Sequence, residues 1–199
     1  MTPLRTVHPR RAVLGAAVAL AVVLGSVALS GGRKSPANEG PRPFLWVRPE
    51  QQPQGWKVAV TGSGAALAYP PGWREIRTDP GTASAAPAGA RGAFSGYLNA
   101  TPRSGKETLA NWSSFRVAHI GAEGARRVRL EAAATGLSFP SARGSCVIDS
   151  YSTTKARFRE LACIVAGARA TTVVVAAAPV ADWAHRVAVL KRAVASFAT

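Results

Sequence analysis

The chain has 199 residues and carries 25 Lys plus Arg against 10 Asp plus Glu, a formal charge of +15 at pH 7. Twenty of the cations are arginine, a bias that fits a GC-rich coding sequence as well as a selected binding surface. Three histidines and two cysteines leave few of the side chains from which metal centres and nucleophilic sites are built.

Arg5, Arg10 and Arg11, with no acid among them, precede an unbroken run of 18 uncharged residues, Ala12–Leu29, closed by Arg33 and Lys34. As a helix this run spans roughly 27 Å at ~1.5 Å per residue, close to the ~30 Å hydrocarbon core of a bilayer. The flanking charges put Met1–Arg11 in the cytoplasm and the rest of the chain outside. The expectation is a single-pass protein of the cell membrane, with residues 12–30 as a transmembrane signal-anchor and an extracytoplasmic C-terminal domain. The alternative is a cleaved signal peptide: Ala28-Leu29-Ser30 ahead of Gly31-Gly32 offers a processing site near Ser30, which would leave a secreted chain. Arg10-Arg11 also resembles a twin-arginine export signal, although Pro9 is not the usual preceding residue. No cysteine directly follows the run, which excludes a lipoprotein anchor.

Residues 31–54 change character. Pro36, Pro41, Pro43, Pro49 and Pro53 prevent a helix or a central strand, so this stretch reads as a semi-extended stalk. Its one apolar cluster, Phe44–Val47, would dock on the following domain or on lipid head groups, the domain being the simpler choice. Residues 55–199 then form one exported domain of ordinary size, with 18 Lys plus Arg against 8 Asp plus Glu, about +10 in itself. Asp79–Gly92, nearly all Ala, Gly, Pro, Ser and Thr, reads as a mobile loop.

Within the domain, Tyr69-Pro70-Pro71-Gly72-Trp73 reads as a turn between strands Ala65–Ala68 and Trp73–Arg77. A strand at Ala93–Ala100 precedes a helix over about Gly105–His119, with Leu109, Trp112 and Phe115 facing inward. Strands follow at Arg126–Ala132, Ser145–Ser152, Phe158–Val165 and Ala170–Ala177. The clearest element is a final helix over Val180–Ala198. Trp183, Val187, Leu190, Val194 and Phe197 recur at helical spacing, after Pro179 and with Asp182 in the first turn. Because βαβ alternation is missing, the fold class is α+β with a mainly antiparallel sheet.

The only two cysteines, Cys146 and Cys163, fall on two strands joined by a short connection. With Thr154 and Lys155 at the hairpin tip they lie directly opposite each other, and export makes a disulfide the expected outcome. The same register sets Asp149 against Glu160, a like-charge pair that calls for screening by Arg159 or Lys155, or for a bulge.

Catalytic patterns are missing from the sequence. Neither His119 nor His185 has a nucleophile-elbow motif nearby, and each reads as a surface histidine. No H-x-x-x-H, C-x-x-C or calcium-loop spacing calls for a metal, and Gly62-Ser63-Gly64 is a turn without a phosphate cradle. The expectation is no catalytic residue, no cofactor and no enzyme. Arg126, Arg127 and Arg129, with Arg157 and Arg159 on the hairpin, would form a cationic patch if their strands are neighbours. Outside a cell its partners would be an anionic envelope component or a protein, bound with strong salt sensitivity. Nucleic acid is not expected, since export removes the opportunity and no recognition motif is present.

The residues from Ala65 to Thr199 resemble a group of small exported actinobacterial proteins with a PsbP-like fold. The resemblance rests on Tyr69-Pro70-Pro71-Gly72-Trp73, on Gly96-Tyr97-Leu98-Asn99-Ala100-Thr101-Pro102, and on Trp112 to Phe115-Arg116. Cys146 to Cys163 and Val194-Ala195-Ser196-Phe197 complete it. It implies an α/β/α sandwich with helices on both faces of the sheet, and a non-enzymatic accessory, scaffolding or lipid-handling role. No catalytic residue carries over. The reading favoured here is an accessory binding module of the cell envelope using the basic hairpin face and the Asp79–Gly92 loop. The alternative is an envelope hydrolase or lipid-transfer protein with a cleft between sheet and helices, lined by Tyr97 and Trp112. A deep closed pocket with polar groups around His119 would favour the alternative, and a filled core the first reading.

Overall fold

The structure is a computed structural model and describes residues 42–87 and 96–199. The expected span at Ala12–Leu29, the start of the stalk and residues 88–95 lie outside these. No helix among the described residues is long and apolar enough to cross a membrane.

Among the described residues, nine strands and two helices follow a short 3-10 turn at Arg42–Phe44. In chain order they are β1 (Lys57–Val60), β2 (Ala66–Tyr69), β3 (Trp73–Glu75), β4 (Ala83–Pro87), β5 (Tyr97–Pro102) and α1 (Trp112–Ala122). Then come β6 (Arg126–Phe139), β7 (Ala142–Ser152), β8 (Arg157–Ala166), β9 (Thr171–Pro179) and α2 (Trp183–Ala195). β1 and β2 form a separate hairpin; the other seven make one sheet in the order β3-β4-β5-β9-β8-β7-β6, every neighbour antiparallel. The fold is α+β with a mainly antiparallel sheet.

Side chains alternate across the sheet, and both faces are covered. Val147, Ala162, Ile164 and Val175 pack beneath Trp112 of α1. Cys146, Leu161, Cys163, Val165 and Val174 face the opposite way, against Leu190, Val194 and Phe197 of the α2 region. This double burial explains why β7, β8 and β9 are buried almost throughout. The final helix is shorter than the predicted Val180–Ala198: of its stripe, Leu190 and Val194 are buried on α2, Trp183 and Val187 are partly buried, and Phe197 is buried just past the helix end, where Ala198 pairs with Ala66 of β2.

The structure corrects several expectations. Ala83–Pro87, inside the supposed mobile loop, is a buried strand between β3 and β5. Ala83 and Ala85 are small enough to pack closely against Ala59 of β1 and Leu67 of β2, while Ser84 on the other face accepts from Asn99, so the composition of a loop here serves close packing. α1 begins at Trp112 and not near Gly105. The Thr108 N–H donates to Asn111 Oδ1 (2.7 Å) and the Asn111 N–H to Thr108 Oγ1 (3.1 Å), closing a polar turn in place of a first helical turn. β6 runs to Phe139, twice the expected length, through three register shifts that let a long edge strand twist along β7. Phe44 and Val47 are buried in the main core, so the apolar cluster ahead of the domain docks on it. Trp46 adds to this seat, with Lys191 over its ring at 5.2 Å and Glu50 N–H bonded to Ala195 O.

Candidate functional site

β7 and β8 pair without interruption from Arg143–Ala166 to Ser152–Arg157, and this register sets Cys146 opposite Cys163. The two form a disulfide across the strands, with Cα atoms 4.0 Å apart, on the face turned toward α2.

The same register places Asp149 opposite Glu160, on the face turned toward α1, and no bulge separates them. Neither Arg159 nor Lys155 screens this pair. Arg116 of α1 does: its Nη2 lies 2.6 Å and its Nε 2.7 Å from Glu160 Oε1. Tyr151 Oη donates to Glu160 Oε2 at 3.4 Å, and Tyr97 Oη lies 3.4 Å from Tyr151 Oη. Burial pushes the Glu160 carboxyl up, while Arg116 and Tyr151 pull it back. Asp149 is fully buried and neither of its oxygens has a hydrogen-bond partner. Burial, and then the neighbouring Glu160 charge, push its pKa up to about 8. One guanidinium neutralises one carboxylate, so the contacts leave the charge on Glu160 and the proton on Asp149. Tyr97 and Tyr151 are likewise raised, first by burial and then by Glu160.

α1 packs over β6, β7 and β8. Beside it, over β5 and β9, an open cleft of about 680 Å³ remains. Its floor includes Tyr97, Asn99 and Thr101 of β5. Its wall is the ring ladder of α1, in which Trp112 and Phe115 lie 6.2 Å apart and Phe115 and His119 5.6 Å, all stacked. Trp112 is fixed by its indole N–H donating to Ala162 O at 3.0 Å. His119 Nε2 lies 3.2 Å from Glu123 Oε1 and is half exposed. The cleft predicted between sheet and helix, with Tyr97 and Trp112 in its lining, therefore exists; it is neither filled nor fully enclosed, and His119, Glu107 and Glu123 are among its polar lining residues.

The five arginines of the expected patch lie at one end of β6 and β8. Arg126 opposes Ser152, which opposes Arg157; one row on, Arg129 opposes Ser150, which opposes Arg159. Opposed residues share a face, here the one toward α2. Arg159 is engaged, with Nη2 2.7 Å from Glu131 Oε2 and its guanidinium 5.2 Å from the Trp183 ring. Arg126, Arg127, Arg129 and Arg157 are exposed and form no ion pair among the described residues. Arg127 stands at a register shift with φ 54°, a left-handed conformation that re-aims the edge strand. His185 is exposed on α2, as its place in the helix pattern predicts.

Two features escaped the sequence reading. The pairing of Arg116 with Glu160 had no local signal, because nothing in α1 alone says which strand residue lies beneath it. Glu107, buried in the cleft lining, sat within the supposed helix and gave no sign of its role.

No protein-family model matches the sequence, and no curated protein does. Among solved structures, cyanobacterial PsbP from Synechocystis aligns with a TM-score of 0.52 at 12% identity, covering 72% of this chain and 91% of that one. The fold is PsbP-like. Two further structures align more loosely. One is a protein of unknown function from Pseudomonas aeruginosa, with TM-score 0.42, 8% identity and coverage of 71% and 94%. The other is LpqN of Mycobacterium tuberculosis, involved in cell envelope biogenesis, with TM-score 0.36, 14% identity and coverage of 76% and 90%. At such identities the PsbP-like likeness concerns the backbone, and no site residue transfers with it.

Proposed function

We propose that this protein is a non-enzymatic accessory module of the bacterial cell envelope. Ala12–Leu29 holds it at the cell membrane as a signal-anchor, or exports it with cleavage near Ser30, and the PsbP-like domain works outside. The cystine supports this address, because such cross-links persist in oxidising compartments. The domain binds an anionic envelope component through the arginine face of β6 and β8.

The observation that carries this reading is the strand register, which sets Arg126 and Arg157 on either side of Ser152 with Arg129 in the next row. Clustered, exposed cations without carboxylate partners raise the local concentration of anions, and salt weakens the effect. Binding is therefore expected to follow charge more than shape. The test is retention of the full-length protein on vesicles of phosphatidylglycerol against phosphatidylcholine. Arg126→Glu with Arg157→Glu should remove most of the preference for the anionic lipid, and raised salt should do the same to the unaltered protein. Equal retention of the charge-reversed variant contradicts the reading.

A further inference from the structure

The cleft beside α1 has a character that the rest of the domain does not share. Residues 55–199 carry more than twice as many cations as acids, yet Asp79, Glu107 and Glu123 all line this cleft. The one Arg or Lys among its described lining residues is Arg116, whose charge is taken by Glu160, while Arg103 flanks the lining and acts on Glu107. His119 is in contact with Glu123. Among the described lining residues carboxylates thus outnumber free Arg and Lys, and the cleft opens on the α1 face, away from the arginines on the α2 face.

Glu107 gives this cleft a specific focus. It is only 4% exposed. Its Oε1 accepts the backbone N–H groups of Ser104 (3.0 Å) and Gly105 (3.2 Å), while its Oε2 is buried with no hydrogen-bond partner. Burial alone would raise this carboxyl, but the backbone N–H groups and Arg103 hold it below its ordinary range, so it stays ionised. Gly105 makes room for it, since a Cβ there would lie 2.7 Å from Oε2. An ionised oxygen held out of water without a donor is costly unless something donates to it. The lining of the same cleft carries the aromatic rings of Trp112, Phe115 and Tyr97, side chains to which a cation is drawn.

We infer that this cleft is a binding site for a primary alkylammonium group, which donates to Glu107 Oε2 and lies against the aromatic wall of α1. A metal ion fits less well, because no three His, Cys, Asp or Glu side chains converge as a ligand set among the described residues. A lipid tail fits poorly against Asn99, Thr101 and three carboxylates. The site is independent of the arginine face, so either can fail alone.

The test is calorimetric titration of the full-length protein in detergent with cadaverine, with acetyl-lysine amide, and with pentanol as the uncharged counterpart. Saturable binding of the amines and none of pentanol is expected; the tighter amine tells whether the natural ligand is a free amine or a lysine side chain. Glu107→Gln keeps an oxygen for Ser104 and Gly105 but loses the charge, and should weaken amine binding about tenfold. Glu123→Gln, on an exposed rim residue, should weaken it less and keeps the test alive should the first variant misfold. Arg126→Glu with Arg157→Glu should not reduce it. No saturable binding, equal binding of pentanol, or undiminished binding in both glutamine variants overturns the inference.

Discussion

Arg116 offers one positive charge to two buried carboxylates, and Glu160 has the better claim on it. Asp149 is left without a hydrogen-bond donor, and Arg116 offsets its burial only in part, so the fold holds its proton up to about pH 8, where an unfolded chain releases it near the ordinary value of 3.8. The sign follows from proton counting. Below the unfolded value both states are protonated and the contribution of Asp149 to stability is complete. Between the two values only the folded state keeps the proton, so stability falls as pH rises, by about 1.4 kcal/mol per pH unit for one proton. Asp149→Asn removes this titration. The melting temperature of the variant should gain on the unaltered protein as pH rises from about 5 to about 8; a difference that does not change with pH contradicts the assignment. The opposition of Asp149 and Glu160 was legible in the sequence, because a hairpin with a short tip fixes its own register. The identity of the screening residue was not, since it comes from a helix 44 positions away along the chain.

At the scale of elements, the β7–β8 hairpin joins local and distant stabilisation. Its unbroken ladder brings the cysteines together, and the cystine then ties two central strands beneath α2. Replacing both with Ala should cost up to about 3 kcal/mol, as expected for closing a loop of this size. The fold should survive, because α1, α2 and the neighbouring strands still bury both faces of the hairpin. Urea melts of Cys146→Ala/Cys163→Ala check this; an unchanged midpoint would show that the cross-link adds nothing. Elements with their own periodicity, above all α2 and this hairpin, could be read from the chain. β4 could not, because Ala-Ser-Ala-Ala-Pro has no strand-forming bulk and becomes a strand only through neighbours on both sides. The start of β6 at Arg126 was legible, but its far end at Phe139 was hidden, since bulges break the alternation that would reveal it.

For the whole molecule, the two candidate surfaces lie on opposite faces of the sheet. Exposed arginines gather at one end of the α2 face, while carboxylates line the cleft on the α1 face. Such a body can meet an anionic surface with one side and leave the other open to a ligand. The proposed address and partners require the domain to stand outside the cytoplasm, a transfer we assign to the run of 18 uncharged residues. The most direct measurement is therefore topological: an alkaline phosphatase fused after Thr199, which is active only where disulfides form, assayed beside a fluorescent protein that matures in the cytosol. Phosphatase activity with a dark fluorescent fusion is the predicted result. A bright fluorescent fusion with inactive phosphatase would contradict the account.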